Sequence, residues 1–161
     1  MKAPIRLELI TPAAEDNAPI PNLSLATVAA LTPPEVHISF TDDLVSPLDL
    51  NGGLKDVDLV GISCSTKTAL RAYQIARAYR ERGVPVVMGG IHPTALPDEV
   101  LEHCDAVVVG EAEQSWPRLI ADFRRGNLES IYRQEDFTPP EEIPPARREI
   151  YRAKNYFPLD S

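Results

Sequence analysis

The sequence predicts an α/β fold: a five-stranded parallel sheet with helices on both faces. Three observations carry this. Short β-branched, apolar runs alternate with segments of helical periodicity from residue 5 to residue 126. The third, fourth and fifth runs are almost continuously apolar, as strands covered on both faces must be. The strand-to-helix turns open on Ser or Gly, residues that let a chain reverse tightly.

Taken in order, IRLELI (residues 5–10) alternates as a first strand, and the Pro- and Ala-rich stretch 11–22 follows as a loop. Ser24 is a helix-capping residue type ahead of LATVAAL, and Pro33-Pro34 stop that helix. EVHISFTD (35–42) is the second strand, VSPLDLNGGL an irregular crossover, and DVDLVGISCS (56–65) holds the third strand. Residues 66–82 give the clearest helix. Ala69, Ala72, Ile75, Ala76 and Tyr79 form one stripe, Arg and Lys lie off it, and Gly83 stands where a C-terminal cap belongs. VPVVMGG is the fourth strand, ALPDEVLEH a short helix and DAVVVGE (105–111) the fifth strand; EQSWPRLIADFRRG is a helix that Gly126 stops. Five strands so connected predict the flavodoxin-like (Rossmann-like) order 2-1-3-4-5. The α/β domain is read as residues 1–133. Residues 134–161, with Pro139-Pro140 and Pro144-Pro145, read as an extended linker rather than a packed unit.

Composition narrows the function. The 161 residues are 43% hydrophobic and carry a formal net charge of −8, so there is enough apolar mass for a core and no basic surface for nucleic acid or anionic lipid. No stretch approaches the roughly 20 apolar residues that span a bilayer. The amino terminus lacks the apolar core of a signal peptide, and the expected location is the cytoplasm. Two cysteines, Cys64 and Cys104, give neither a disulfide framework nor a four-thiolate metal site and read as small buried hydrophobes.

Parallel sheets bind ligands beyond the carboxyl ends of their strands. There the sequence places the loop 11–22, then Ser63-Cys64-Ser65-Thr66, then Gly89-Gly90-Ile91-His92-Pro93-Thr94, then Gly110-Glu111-Ala112-Glu113. Small residues clear one edge of the sheet and bare its backbone N–H groups. Each turn also has a plain reading, in which Gly serves the turn, His92 bonds locally, and Glu111 and Glu113 cap the last helix. His37 and His103 read as structural. Acidic residues do not follow the first and third strands, which excludes a phosphoacceptor receiver site. A phosphate loop, GxGxxG and the P-loop are absent, as are HExxH and a Ser-His-Asp set. The residues alone supply no catalytic machinery.

DLVGIS, AYQIARAYRERGVPVVMGGIHPTALPDE and DAVVVGEAEQSWPRLIADF together resemble the amino-terminal cobalamin-binding domain of cobalamin-dependent radical S-adenosylmethionine proteins, over about residues 5–132. The resemblance implies a domain, itself non-catalytic, that cradles the corrin and takes its nucleotide tail into the sheet edge. It implies tail contacts at Ser63, Ser65, Gly89, Gly90, Gly110 and Glu111, with Ile91 and His92 flanking the corrin. Many such domains carry Asp-x-His-x-x-Gly after the first strand, whose His ligates cobalt from below; residues 11–22 hold no His, so cobalamin would bind without that ligand. The resemblance also implies a following radical domain with a [4Fe-4S] cluster and S-adenosylmethionine, in a methyltransferase or an oxidative cyclase of the magnesium-protoporphyrin ester type. On that reading this chain is a piece of a longer protein. The alternatives are a flavodoxin-like domain that has lost cobalamin and only packs against or positions substrate for the radical domain, and a free-standing corrinoid carrier.

Overall fold

The computed structural model describes residues 3–15 and 20–151. Its strands are β1 (Arg6–Thr11), β2 (His37–Asp42), β3 (Leu59–Ser63), β4 (Val86–Gly89), β5 (Ala106–Val109) and β6 (Ile131–Arg133). All adjacent pairs are parallel, and the order is β2-β1-β3-β4-β5-β6. The predicted α/β class and the order of the first five strands hold. The sixth strand, which extends the sheet past β5, is a correction. It is only three residues long, with Tyr132 buried between two exposed neighbours, so it carries too little apolar periodicity to be read from sequence.

The helices are α1 (Leu23–Leu31), α2 (Ala69–Glu81), α3 (Ile91–Ala95), α4 (Pro97–Leu101) and α5 (Ser115–Arg125). They divide the core in two. Leu7, Leu9, Val87 and Val108 pack with α1 and α5 on one face. Ile10, Val60, Met88 and Val107 pack with α2 and the Val100–Cys104 region on the other. Successive strand residues thus serve opposite faces, as the pleat requires. In α2 the buried residues are the predicted stripe, Ala69, Ala72, Ile75, Ala76 and Tyr79. Its first turn is a 3-10 turn over Thr66–Thr68, so the α-helix starts later than expected. The cap of α1 is Asn22 and not Ser24: the Asn22 side chain accepts the backbone N–H of Ser24. Gly126 ends α5 in the left-handed conformation at φ 73°.

One polar group crosses the α2 face. Glu8 in β1 is fully buried. It accepts the Tyr79 hydroxyl and the Thr41 hydroxyl (2.6 Å) and pairs with Lys55 Nζ at 3.1 Å, so the buried carboxylate is satisfied. Beyond β6 the segment expected to be extended forms two 3-10 turns, Pro140–Glu142 and Arg148–Tyr151. The second docks on α1: the Arg147 N–H donates to the Ala26 carbonyl, and Tyr151 meets the Phe40 ring edge-on at 4.9 Å. The remainder of the expected linker, residues 152–161, and residues 16–19 of the first loop lie outside the described residues. Among the described residues no helix is long and apolar enough to cross a membrane.

Candidate functional site

A cleft of about 210 Å³ opens at the carboxyl edge of the sheet, on the face covered by α1 and α5. Its floor is Leu9, Gly61, Val87, Gly89 and Val108; its walls are Leu25 and Val28 of α1 and Trp116 of α5; Gly110, Glu111 and Glu113 close one end. A broader hollow of about 400 Å³ lies over the strand ends, bordered by Thr11, Pro12, Ile20, Asn22, Ser65 and Ile91. The two share Ser24, Ser63 and Gly90, so they are one continuous recess with a narrow apolar part and a wider mouth. Neither part has a Lys or Arg among its lining residues. Another hollow, near Arg77, Arg80 and His103, lies by the amino ends of β4 and β5, away from these loops.

The adjacent glycines have different jobs. A Cβ on Gly90 would sit 2.7 Å from the Cys64 carbonyl oxygen, and its φ is 113°, so the residue is demanded by the chain itself. That approach lets the His92 N–H reach the Cys64 carbonyl and ties the β3 and β4 loops together. A Cβ on Gly89 would meet only Val108, at an ordinary 3.6 Å, so the space above it belongs to the cleft.

The predicted residues separate accordingly. Ser63, Gly89, Gly90, Gly110 and Glu111 come together around the cleft, and Ser65 and Ile91 border the mouth. Ile91 is 77% exposed. Ser65 also opens the 3-10 turn, its N–H donating to Thr68 Oγ1 at 3.0 Å. The His92 ring borders neither part of the recess. It is buried, and its nitrogens stand within hydrogen-bonding distance of the Tyr73 hydroxyl (3.0 Å) and the Thr66 hydroxyl (3.3 Å), with Glu99 at 3.4 Å. Bonds from Tyr73 and then His92 hold the Glu99 carboxyl below its ordinary value. Burial is the main reason the Cys64 thiol is pushed up to about 11, which keeps it protonated and unreactive at neutral pH.

Four contributors carry no individual mark in the sequence. Trp116, the single tryptophan, walls the cleft and donates from Nε1 to Thr32 Oγ1 at 2.9 Å. Asn22 reaches from the α1 cap to Ser63 Oγ at 2.9 Å. Glu113 lines the cleft, and its Oε2 is buried without a hydrogen-bond partner; Thr11 Oγ1, at the mouth, is in the same position. Buried oxygens left unpaired are uncommon, and both of these belong to residues that border the recess. Behind the mouth, Asp43 fixes the loops. Its carboxylate takes Arg71 through Nε (2.7 Å) and Nη2 (2.9 Å) and the N–H groups of Ala13 and Leu48. Burial opposes ionisation of Asp43, but Arg71 and those N–H groups outweigh it and hold its carboxyl below the ordinary value.

A recess of this shape suits a ligand with a slim arm and a broad head. The model of the B12 binding domain matches residues 13–120, well over half of the chain. The chain belongs to the B12-binding domain family. Among curated proteins it is 38% identical over 128 residues to a bacteriochlorophyllide d C-8(2)-methyltransferase of Chlorobaculum tepidum, covering 79% of this chain and 28% of that protein. It is 35% identical over 120 residues to the bacteriochlorophyllide d C-12(1)-methyltransferase of the same organism, covering 73% and 25%. The chain therefore spans about a quarter of the length of these relatives. Among solved structures, the radical S-adenosylmethionine methyltransferase TsrM of Kitasatospora setae, with cobalamin and a [4Fe-4S] cluster bound, shares the fold at a TM-score of 0.63 and 19% identity, over 77% of this chain and 25% of that one. The B12-binding domain thus has the predicted sheet, lengthened by β6.

Proposed function

We propose that this B12-binding domain holds cobalamin by its nucleotide tail and serves as the corrinoid-carrying part of a larger radical S-adenosylmethionine methyltransferase. The observation that carries the reading is the narrow, apolar, glycine-floored cleft that opens into a wider mouth at the carboxyl edge. The fit is specific in three respects. Gly89 leaves room where any longer side chain would fill the cleft. The apolar lining, Leu25, Val28 and Trp116 over Val108, suits a flat aromatic base. Glu113 Oε2 and Thr11 Oγ1 lack donors that a sugar hydroxyl or a corrin amide would supply.

In this reading Gly89, Val108 and Trp116 take the base. Ser63 and Glu113 bond the nucleotide, while Ser65, Ile91 and Gly90 border the mouth beneath the corrin. Bound cobalamin supplies a methyl group carried on cobalt. The chain's own work is to bind and orient it, to keep water off the buried tail, and to leave the other corrin face open to a partner. Residues 11–22 contain no His, so that loop would offer no imidazole to the cobalt of a bound cobalamin. The partner is a following radical domain of the same protein, which holds the [4Fe-4S] cluster, S-adenosylmethionine and the methyl acceptor, and the setting is cytoplasmic. The methyltransferase assignment, in preference to a cyclase, rests on the curated relatives, both of which are methyltransferases.

Incubation with hydroxocobalamin followed by gel filtration tests the binding. One corrin should co-elute per chain at micromolar concentrations. Elution free of corrin absorbance refutes the proposal.

A further inference from the structure

Asn22 fixes the direction of a hydrogen bond at the cleft. Its side-chain Oδ1 accepts the Ser24 backbone N–H at 3.0 Å, and its Nδ2 lies 2.9 Å from Ser63 Oγ. A backbone N–H can only donate, so the amide oxygen must face Ser24 and the NH₂ must face Ser63. Ser63 Oγ is therefore the acceptor in that bond, and its own proton has to go elsewhere. Among the described residues no protein acceptor takes it, and Ser63 borders both the cleft and the mouth. The Asn22 carbonyl in turn receives the Tyr151 hydroxyl, which steadies the cap from the docked carboxyl-terminal segment.

We propose that Asn22 is a positioning residue that makes Ser63 an obligate donor to an acceptor atom on the nucleotide tail of a bound corrinoid. This rests on the cobalamin reading above. The direction of the Ser63 hydroxyl is set by the cap residue Asn22 and not by Ser63 itself.

Asn22→Asp separates this from a structural role. Asp caps a helix as well as Asn does, so the melting temperature should hold. A carboxylate only accepts, however, so the Ser63 hydroxyl should turn to donate to it and be lost to the ligand. With the full 161-residue chain and hydroxocobalamin, Ser63→Ala and Asn22→Asp should each weaken binding about tenfold, the worth of one net hydrogen bond. The double variant should lose no more than either single one. Cobinamide, which lacks the nucleotide, should bind all four proteins equally. Wild-type affinity in Asn22→Asp overturns the proposal. So does a loss that adds to that of Ser63→Ala, which would mark charge rather than hydroxyl direction, and so does an equal loss for cobinamide. Should Asn22→Asp melt early, Ser63→Ala carries the test: unchanged hydroxocobalamin affinity there overturns the proposal by itself. Failure of the unsubstituted chain to bind hydroxocobalamin would instead overturn the cobalamin reading.

Discussion

Substituting Gly89 and Gly90 should have opposite consequences, although the residues are neighbours. At Gly90 a Cβ would lie 2.7 Å from the Cys64 carbonyl oxygen and 3.2 Å from the Cys64 nitrogen, on a backbone at φ 113°. A non-glycine residue in such a conformation costs roughly 1–3 kcal/mol, and the clash adds a similar amount. Gly90→Ala should therefore lose about 3 kcal/mol, a fall of about 10 °C in melting temperature for a chain of this size. At Gly89 a Cβ meets Val108 at 3.6 Å, which is ordinary contact. Gly89→Ala should melt within a few degrees of the parent. Gly89→Leu should also fold, but its outer carbons must enter a cleft of only about 210 Å³. Cobalamin affinity should then fall at least about a hundredfold, or about 2.8 kcal/mol. Thermal melting followed by circular dichroism reads the first quantity and corrin titration the second. Wild-type melting in Gly90→Ala, or near-wild-type affinity in Gly89→Leu, refutes the division of labour.

Other consequences concern the walls and the supports. Trp116 is the single tryptophan and borders the cleft, so its emission should be quenched saturably at one equivalent of cobalamin; a decline that never saturates contradicts the location. Glu113→Ala removes an acceptor that has no protein partner, so the free protein should stay about as stable, and cobalamin binding should weaken about tenfold if a ligand hydroxyl donates there. Unchanged affinity would remove Glu113 from the site. Asp43→Asn breaks a buried pairing with Arg71 and should cost about 3 kcal/mol at neutral pH. Because the folded-state value of Asp43 is depressed, its contribution is complete above the ordinary Asp value of about 3.9 and is lost as pH falls toward and through the folded value. Urea unfolding should show the gap between parent and variant shrinking below that pH, and a constant gap would refute the assignment.

The fold was largely legible because its signals are local. Residues 59–62, 86–89 and 106–109 are continuous runs without a polar side chain, and the α2 stripe recurs at helical spacing. That Gly89, Ser63 and Gly110 gather at the cleft is legible because parallel topology alone places strand ends on one edge. The rest depends on contacts between distant segments. Asn22 and Ser24 are both good capping types, and the choice is settled by a bond to Ser63, 41 residues away. His92 sits in the right loop, but Tyr73 and Thr66 draw its ring to the far side of the sheet edge. The Arg148–Tyr151 turn reads as linker because prolines precede it; it is the Phe40 and Asn22 partners that fold it back. Glu113 carries no sequence mark that distinguishes a capping acid from a ligand group.

The central proposal is that the cleft would hold the nucleotide base of cobalamin, while residues 11–22, which contain no His, would offer cobalt no imidazole in its place. Electron paramagnetic resonance of the chain loaded with cob(II)alamin tests this directly, since an axial nitrogen splits each cobalt line into three. The account predicts a spectrum without that splitting. A spectrum that keeps the threefold nitrogen splitting would mean a nitrogen still bound below cobalt and would contradict it.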